Sequence, residues 1–96
     1  MVLEQALLHV RPGQERAFED AMREARPLIA ASPGFLGIEV RPAVERSGVY
    51  LLLVQWESIA DHRDGFRQSE RYEEWRRLLH GFYEPMPDVI YFGDAL

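Results

Sequence analysis

Apolar and polar positions alternate along the first ten residues. Ala6, Leu8 and Val10 share one parity, and Gln5, Leu7 and His9 the other. A period of two is that of a strand, because successive side chains leave a pleated backbone on opposite sides. Arg11-Pro12-Gly13 ends it. From Gln14 the period changes: Ala17, Phe18, Ala21, Met22, Ala25, Leu28 and Ile29 form one helical stripe, opposite Glu15, Arg16, Glu19, Asp20, Arg23 and Glu24. Pro27 lacks the N–H that would bond the Arg23 carbonyl, so a kink or an early end is expected there. Beyond Ser32-Pro33-Gly34, Phe35 to Arg41 reads as a second strand with Leu36, Ile38 and Val40 on one face. Pro42 ends it, and Glu45-Arg46-Ser47-Gly48 turns the chain into a third strand, Val49 to Trp56.

The third strand is apolar on both sides. Tyr50, Leu52 and Val54 alternate with Val49, Leu51 and Leu53. A sheet with helices on one side alternates apolar with polar. Here the second side also calls for burial, and in a chain of 96 residues a second copy is the economical cover.

Ser58 is a good helix cap, with Asp61 three residues on and Ile59, His62 and Phe66 as the inward stripe. Ser69 caps a second helix carrying Tyr72, Trp75, Leu79 and Phe82, which Gly81, Pro85 and Pro87 end. Asp88 to Gly93 alternates Val89 and Tyr91 against Ile90 and Phe92, as a last strand. The order is β-α-β-β-α-α-β. It describes an α+β, ferredoxin-like βαββαβ domain with a four-stranded antiparallel sheet, its second helix broken in two, spanning residues 1–96 as one unit.

Charge and composition narrow the partners. Net charge is −5, which argues against nucleic acid and against an anionic membrane surface. All 11 basic residues are Arg, so no side-chain Schiff base can form. With no cysteine there is no disulfide or thiolate metal site. Met1 leads straight into a strand, and no apolar run would span a bilayer, so a cytoplasmic protein is expected.

No dinucleotide fingerprint, phosphate loop or zinc-protease motif is present, and no two histidines stand at ligand spacing. Neither a cofactor nor a metal is therefore expected. His62 is the candidate base, since a histidine ordinarily titrates near neutral pH. Arg67 is the candidate holder of an anionic oxygen. Phe66, Tyr72 and Trp75 are candidate walls for an aromatic ligand. Gly65, opposite Trp75, leaves a vacancy that is either a cavity or the space the indole fills. Each has a plain structural reading beside it: a helix histidine, a solvated helix face, core packing.

Pro33-Gly34-Phe35, then Trp56-Glu57-Ser58, then Gly65-Phe66-Arg67, Ser69, Tyr72 and Trp75, resemble the antibiotic biosynthesis monooxygenase superfamily in order and spacing. Leu78-Leu79-His80, Phe82-Tyr83 and Pro85 look like one uncharacterised branch of it. The resemblance implies a dimeric α/β-barrel and a pocket between each sheet and its helices. It also implies cofactor-independent oxidation of aromatic polyketides or quinols as the commonest chemistry. The positions at which haem-degrading members carry Asn, Trp and His hold Ala6, Gly65 and Trp75, so haem breakdown is disfavoured. The expected function is a cofactor-independent monooxygenase of a small aromatic, polyketide- or quinol-like compound. The alternatives are a non-catalytic binder of a small apolar molecule and a structural dimeric domain.

Overall fold

The computed structural model describes residues 1–96. Its elements run β1 (Val2–His9), α1 (Glu15–Ala30), β2 (Phe35–Pro42), β3 (Val49–Trp56), a helical turn (Asp61–Phe66), α2 (Glu70–Leu79) and β4 (Ile90–Phe92). The four strands form one antiparallel sheet in the order β2-β3-β1-β4, the ferredoxin-like arrangement. No helix is long and apolar enough to cross a membrane.

Strand parity decides what reaches the core. Ala6, Leu8 and Val10 of β1 and Tyr50, Leu52, Val54 and Trp56 of β3 point to the helix side and are buried. α1 lays Phe18, Met22, Ala25 and Ile29 against them. Phe18 sits at the centre, its ring 4.7 Å from that of Tyr50, whose hydroxyl donates to Glu19 at 2.6 Å. Burial and this acidic neighbour hold the Tyr50 hydroxyl well above its ordinary range.

Three local expectations are corrected. Helix α1 runs through Pro27 to Ala30. Pro27 lies on the exposed face, where water can satisfy the Arg23 carbonyl, while Ile29 keeps the last turn on the core. In β2 the register shifts between Phe35 and Gly37, which throws Leu36 outward and leaves Phe35, Ile38 and Val40 packed inward. β4 is only three residues long, so the chain from Pro85 to Val89 lies outside the ladder.

The other side of the sheet carries Leu3, Leu7, Val49, Leu51, Leu53, Ile90 and Phe92, opposite in parity to the core residues. Leu7, Ile90 and Phe92 are 46%, 51% and 47% exposed.

Candidate functional site

A cavity of about 80 Å³ lies between the helix side of the sheet and α2. Glu4 is one of the two buried polar residues that line it. It shares the parity of Ala6 and Leu8, so the strand carries it to the helix side, where it is buried. It pairs with Tyr91 on β4, and Trp56 lies diagonally across on β3. Cross-strand neighbours on one face are within reach of long side chains.

A carboxylate in such a place is costly unless it is partnered. Trp56 Nε1 donates to Glu4 Oε1 at 2.9 Å, and His62 Nε2 faces the same oxygen at 3.4 Å. Oε2 has no protein partner, yet no fully buried polar side-chain atom lacks one, so Oε2 keeps some accessible surface on a residue that lines the cavity. Burial pushes the Glu4 carboxyl up to about 7, against the pull of the Trp56 N–H and the Arg67 charge.

His62 arrives on the turn after β3. Asp61 N donates to Ser58 Oγ at 3.3 Å, and Ser58 Oγ donates to Asp61 Oδ2 at 2.9 Å, which fixes the start of the turn as the sequence led one to expect. The turn is then wider than an α-helix: Arg67 N donates to His62 O at 3.0 Å, five residues back. Such π-turns recur at functional sites. This one points His62, Phe66 and Arg67 at the cavity.

His62 is wedged on both sides. Nε2 faces Glu4, and Nδ1 shares a hydrogen bond of 2.5 Å with the Tyr91 hydroxyl. Its ring lies 5.5 Å from the Trp56 indole. The expectation that it titrates near neutral pH is corrected. Burial first, and then the charges of Arg67 and Arg63, push it down to about 4. At neutral pH it is an uncharged imidazole.

Ser69 caps α2 by accepting from Tyr72 N at 3.3 Å. Trp75 is buried and stands edge-on to Phe66 at 5.7 Å. It forms a wall of the cavity and does not plug it. The Arg67 guanidinium lies 5.8 Å above the Tyr72 ring, at a distance for a cation–π contact. His80 and Tyr83 also reach the cavity; burial lowers the first and raises the second. Met86, 54% exposed, closes the outer side.

Five of the six expected site residues, His62, Arg67, Phe66, Tyr72 and Trp75, thus border one cavity. Gly65 does not. It is exposed, and a Cβ built on it would meet only the Ala60 carbonyl at 3.8 Å. The wide turn carries it off the inner face, so no vacancy stands opposite Trp75. Sequence reasoning missed Glu4 and Tyr91. The signal for both was parity: Glu4 shares the face of Ala6, and Tyr91 that of Val89, which packs on the core.

The model of the family described as antibiotic biosynthesis monooxygenase matches residues 1–78. The chain belongs to that family. An uncharacterised protein of Bacillus subtilis (strain 168), YczJ, is 47% identical over 95 residues, covering 99% of this chain and 100% of its own. A putative antibiotic biosynthesis monooxygenase from Bordetella bronchiseptica is 34% identical, with a TM-score of 0.94 over 99% of this chain and 97% of that one. SnoaB from Streptomyces nogalater, named a cofactor-independent oxygenase, is 15% identical with a TM-score of 0.85, covering 99% and 93%, and shares the fold. In this antibiotic biosynthesis monooxygenase domain three polar residues are buried: Glu4, Ser32 and His62. Two of the three meet at the cavity.

Proposed function

We propose that the domain is a cofactor-independent monooxygenase of a small hydroxylated aromatic or quinol, with Glu4 as the proton acceptor. The observation that carries this reading is a buried carboxyl with one unpartnered oxygen and a pKa raised to about 7, on a residue that lines a mostly apolar cavity. A base tuned close to working pH is the most effective one. SnoaB, which shares the fold, supports the reaction class.

The substrate hydroxyl gives its proton to Glu4 Oε2. The resulting anion is electron-rich enough to reduce O2. One oxygen atom joins a ring carbon, the other leaves as water, and the substrate supplies all four electrons. His62 stays neutral and orients Glu4; it takes the place of a helper to the base in this reading, not that of the base itself. The Arg67 guanidinium at the rim stabilises the phenolate. Phe66, Tyr72 and Trp75 hold the ring.

Size restricts the substrate. A cavity that admits benzene measures ~150 Å³, and this one about 80 Å³. A single ring is therefore a better match than a polycyclic polyketide. A single ring fits once Met86 swings aside, and its exposed, unbranched side chain makes it the movable part of the wall.

We also propose that the outer face of the sheet is the contact between two copies. Leu7, Ile90 and Phe92 are half exposed there beside Leu51 and Leu53, forming the kind of apolar patch that monomers seldom leave bare.

Oxygen uptake with a panel of monocyclic catechols and hydroquinones tests the reaction. Uptake is expected with the native protein, with kcat falling by roughly 10²–10⁴-fold in Glu4→Gln and also dropping in His62→Ala. Tight binding of a panel member without uptake would instead favour a non-catalytic binder.

A further inference from the structure

A base sealed inside a protein needs a path for its proton. The substrate's proton has to leave the cavity before the next cycle, and the breakdown of a peroxide to water draws one back. The mouth of the cavity is filled by the ligand itself while this happens. The structure contains another route. Glu4 Oε1 faces His62 Nε2 at 3.4 Å, and His62 Nδ1 is bonded to the Tyr91 hydroxyl at 2.5 Å. Tyr91 stands on β4, an edge strand, and is only partly buried. The exposed Arg63 guanidinium lies 5.7 Å over its ring.

We propose that Glu4, His62 and Tyr91 form a proton relay between the cavity and the sheet edge, with Tyr91 as its outer terminal. The proposal rests on the reading that Glu4 accepts the substrate's proton. Outward, the Glu4 carboxyl, protonated on Oε2 by the substrate, turns over about its Cγ–Cδ bond, so that the protonated oxygen faces Nε2 and the other accepts from Trp56. It then passes the proton to Nε2, Nδ1 passes its own to the Tyr91 oxygen, and the phenol passes its own to water. Three bonds to hydrogen break and three form. A carboxylate, a neutral imidazole and a neutral phenol remain. The imidazole now carries its proton on Nε2. Inward transfer runs the same steps in reverse and restores the first tautomer, so one substrate oxidation uses the relay once each way.

The geometry suits this role better than plain support. The ring stands between the cavity and the edge strand, with Nε2 toward Glu4, which lines the cavity, and Nδ1 bonded to Tyr91 on β4. The 3.4 Å gap is the slack link, and catalytic hydrogen bonds commonly tighten when ligand is bound. The groups facing His62 are Glu4 from β1, Tyr91 from β4, and Arg63 and Arg67 from its own turn.

Solvent exchange of the His62 ring proton, read by NMR on imidazole-labelled protein without substrate, tests the relay. Tyr91→Phe is expected to slow this exchange at least tenfold. The Trp56 Nε1 proton, which borders Glu4 but lies off the relay, is expected to exchange at its native rate. Tyr91→Gln, which keeps a hydrogen-bonding group that does not relay, should behave as Tyr91→Phe does. Recovery of native exchange in Tyr91→Gln would show a structural role and overturn the relay, as would an unchanged rate in Tyr91→Phe. Equal slowing at Trp56 would show only a tighter cavity, and would overturn it too. None of these readings depends on oxygen uptake, so the relay and the oxygenase reading fail separately.

Discussion

Glu4 Oε1 and His62 Nε2 face each other across 3.4 Å in the interior of the domain, both side chains 5% exposed. Burial moves the two in opposite directions, the carboxyl up to about 7 and the imidazole down to about 4. The usual order of a carboxyl and a histidine is thereby reversed. In the unfolded chain at pH 5.5 the pair's one proton sits on the histidine; in the folded protein it sits on the glutamate.

That reversal has a signature in stability. Glu4 has a raised folded pKa, so its contribution is fully present below 4.5 and is lost as pH rises through about 7. His62 has a depressed one, so its contribution is present above 6.5 and is lost as pH falls through about 4. Between 4.5 and 6.5 folded and unfolded states hold the same number of protons on this pair, and the two slopes cancel. Glu4→Gln removes the cancellation. Relative to native protein, its urea-unfolding free energy should fall by about 3 kcal/mol between pH 6.5 and 4, at ~1.36 kcal/mol per unit. His80, also lowered by burial, contributes equally to both proteins and drops out of the difference.

Trp56→Phe removes the indole N–H that Glu4 accepts and leaves a void beside a fully buried ring. The hydrogen bond to a charged group and the lost packing together predict a loss of about 2–4 kcal/mol by urea unfolding. The Glu4 midpoint should rise, because the donor that favours the ionised form is gone.

Gly34 has φ +83°, and a Cβ there would lie 2.2 Å from Asp61 Cγ. Gly34→Ala therefore strains the backbone and pushes Asp61 off its cap on Ser58. A loss of roughly 1–3 kcal/mol is expected. The matching readout is a shifted His62 ring resonance, since the same turn carries that ring.

Leu51→Glu puts a charge in the middle of the outer face without touching the core. Light scattering at micromolar concentration should show the native chain as a dimer and this variant as a monomer. A native chain that scatters as a monomer would refute the proposed contact.

Much of the fold was legible because side-chain parity and helical spacing are local. Val49 to Trp56 declared two apolar faces, and Ser69 capped its helix where the sequence placed it. What escaped depended on neighbours far along the chain. Pro27 reads as a breaker until its exposed position and the anchorage of Ile29 are seen. Gly65 reads as inward only if the turn is α-helical, and a six-residue π-turn cannot be told from spacing. Glu4 is one acidic residue at the start of a strand, the commonest place for a solvated one. Its burial is set by Trp56 and His62, 52 and 58 residues away.

The most direct test of the account is a carbon-13 NMR titration of the Glu4 side-chain carboxyl in the native protein. The structure predicts a midpoint near 7, with Glu4 largely protonated at pH 6. A midpoint at the ordinary value of 4.5 would contradict it and remove the base on which the proposed chemistry depends.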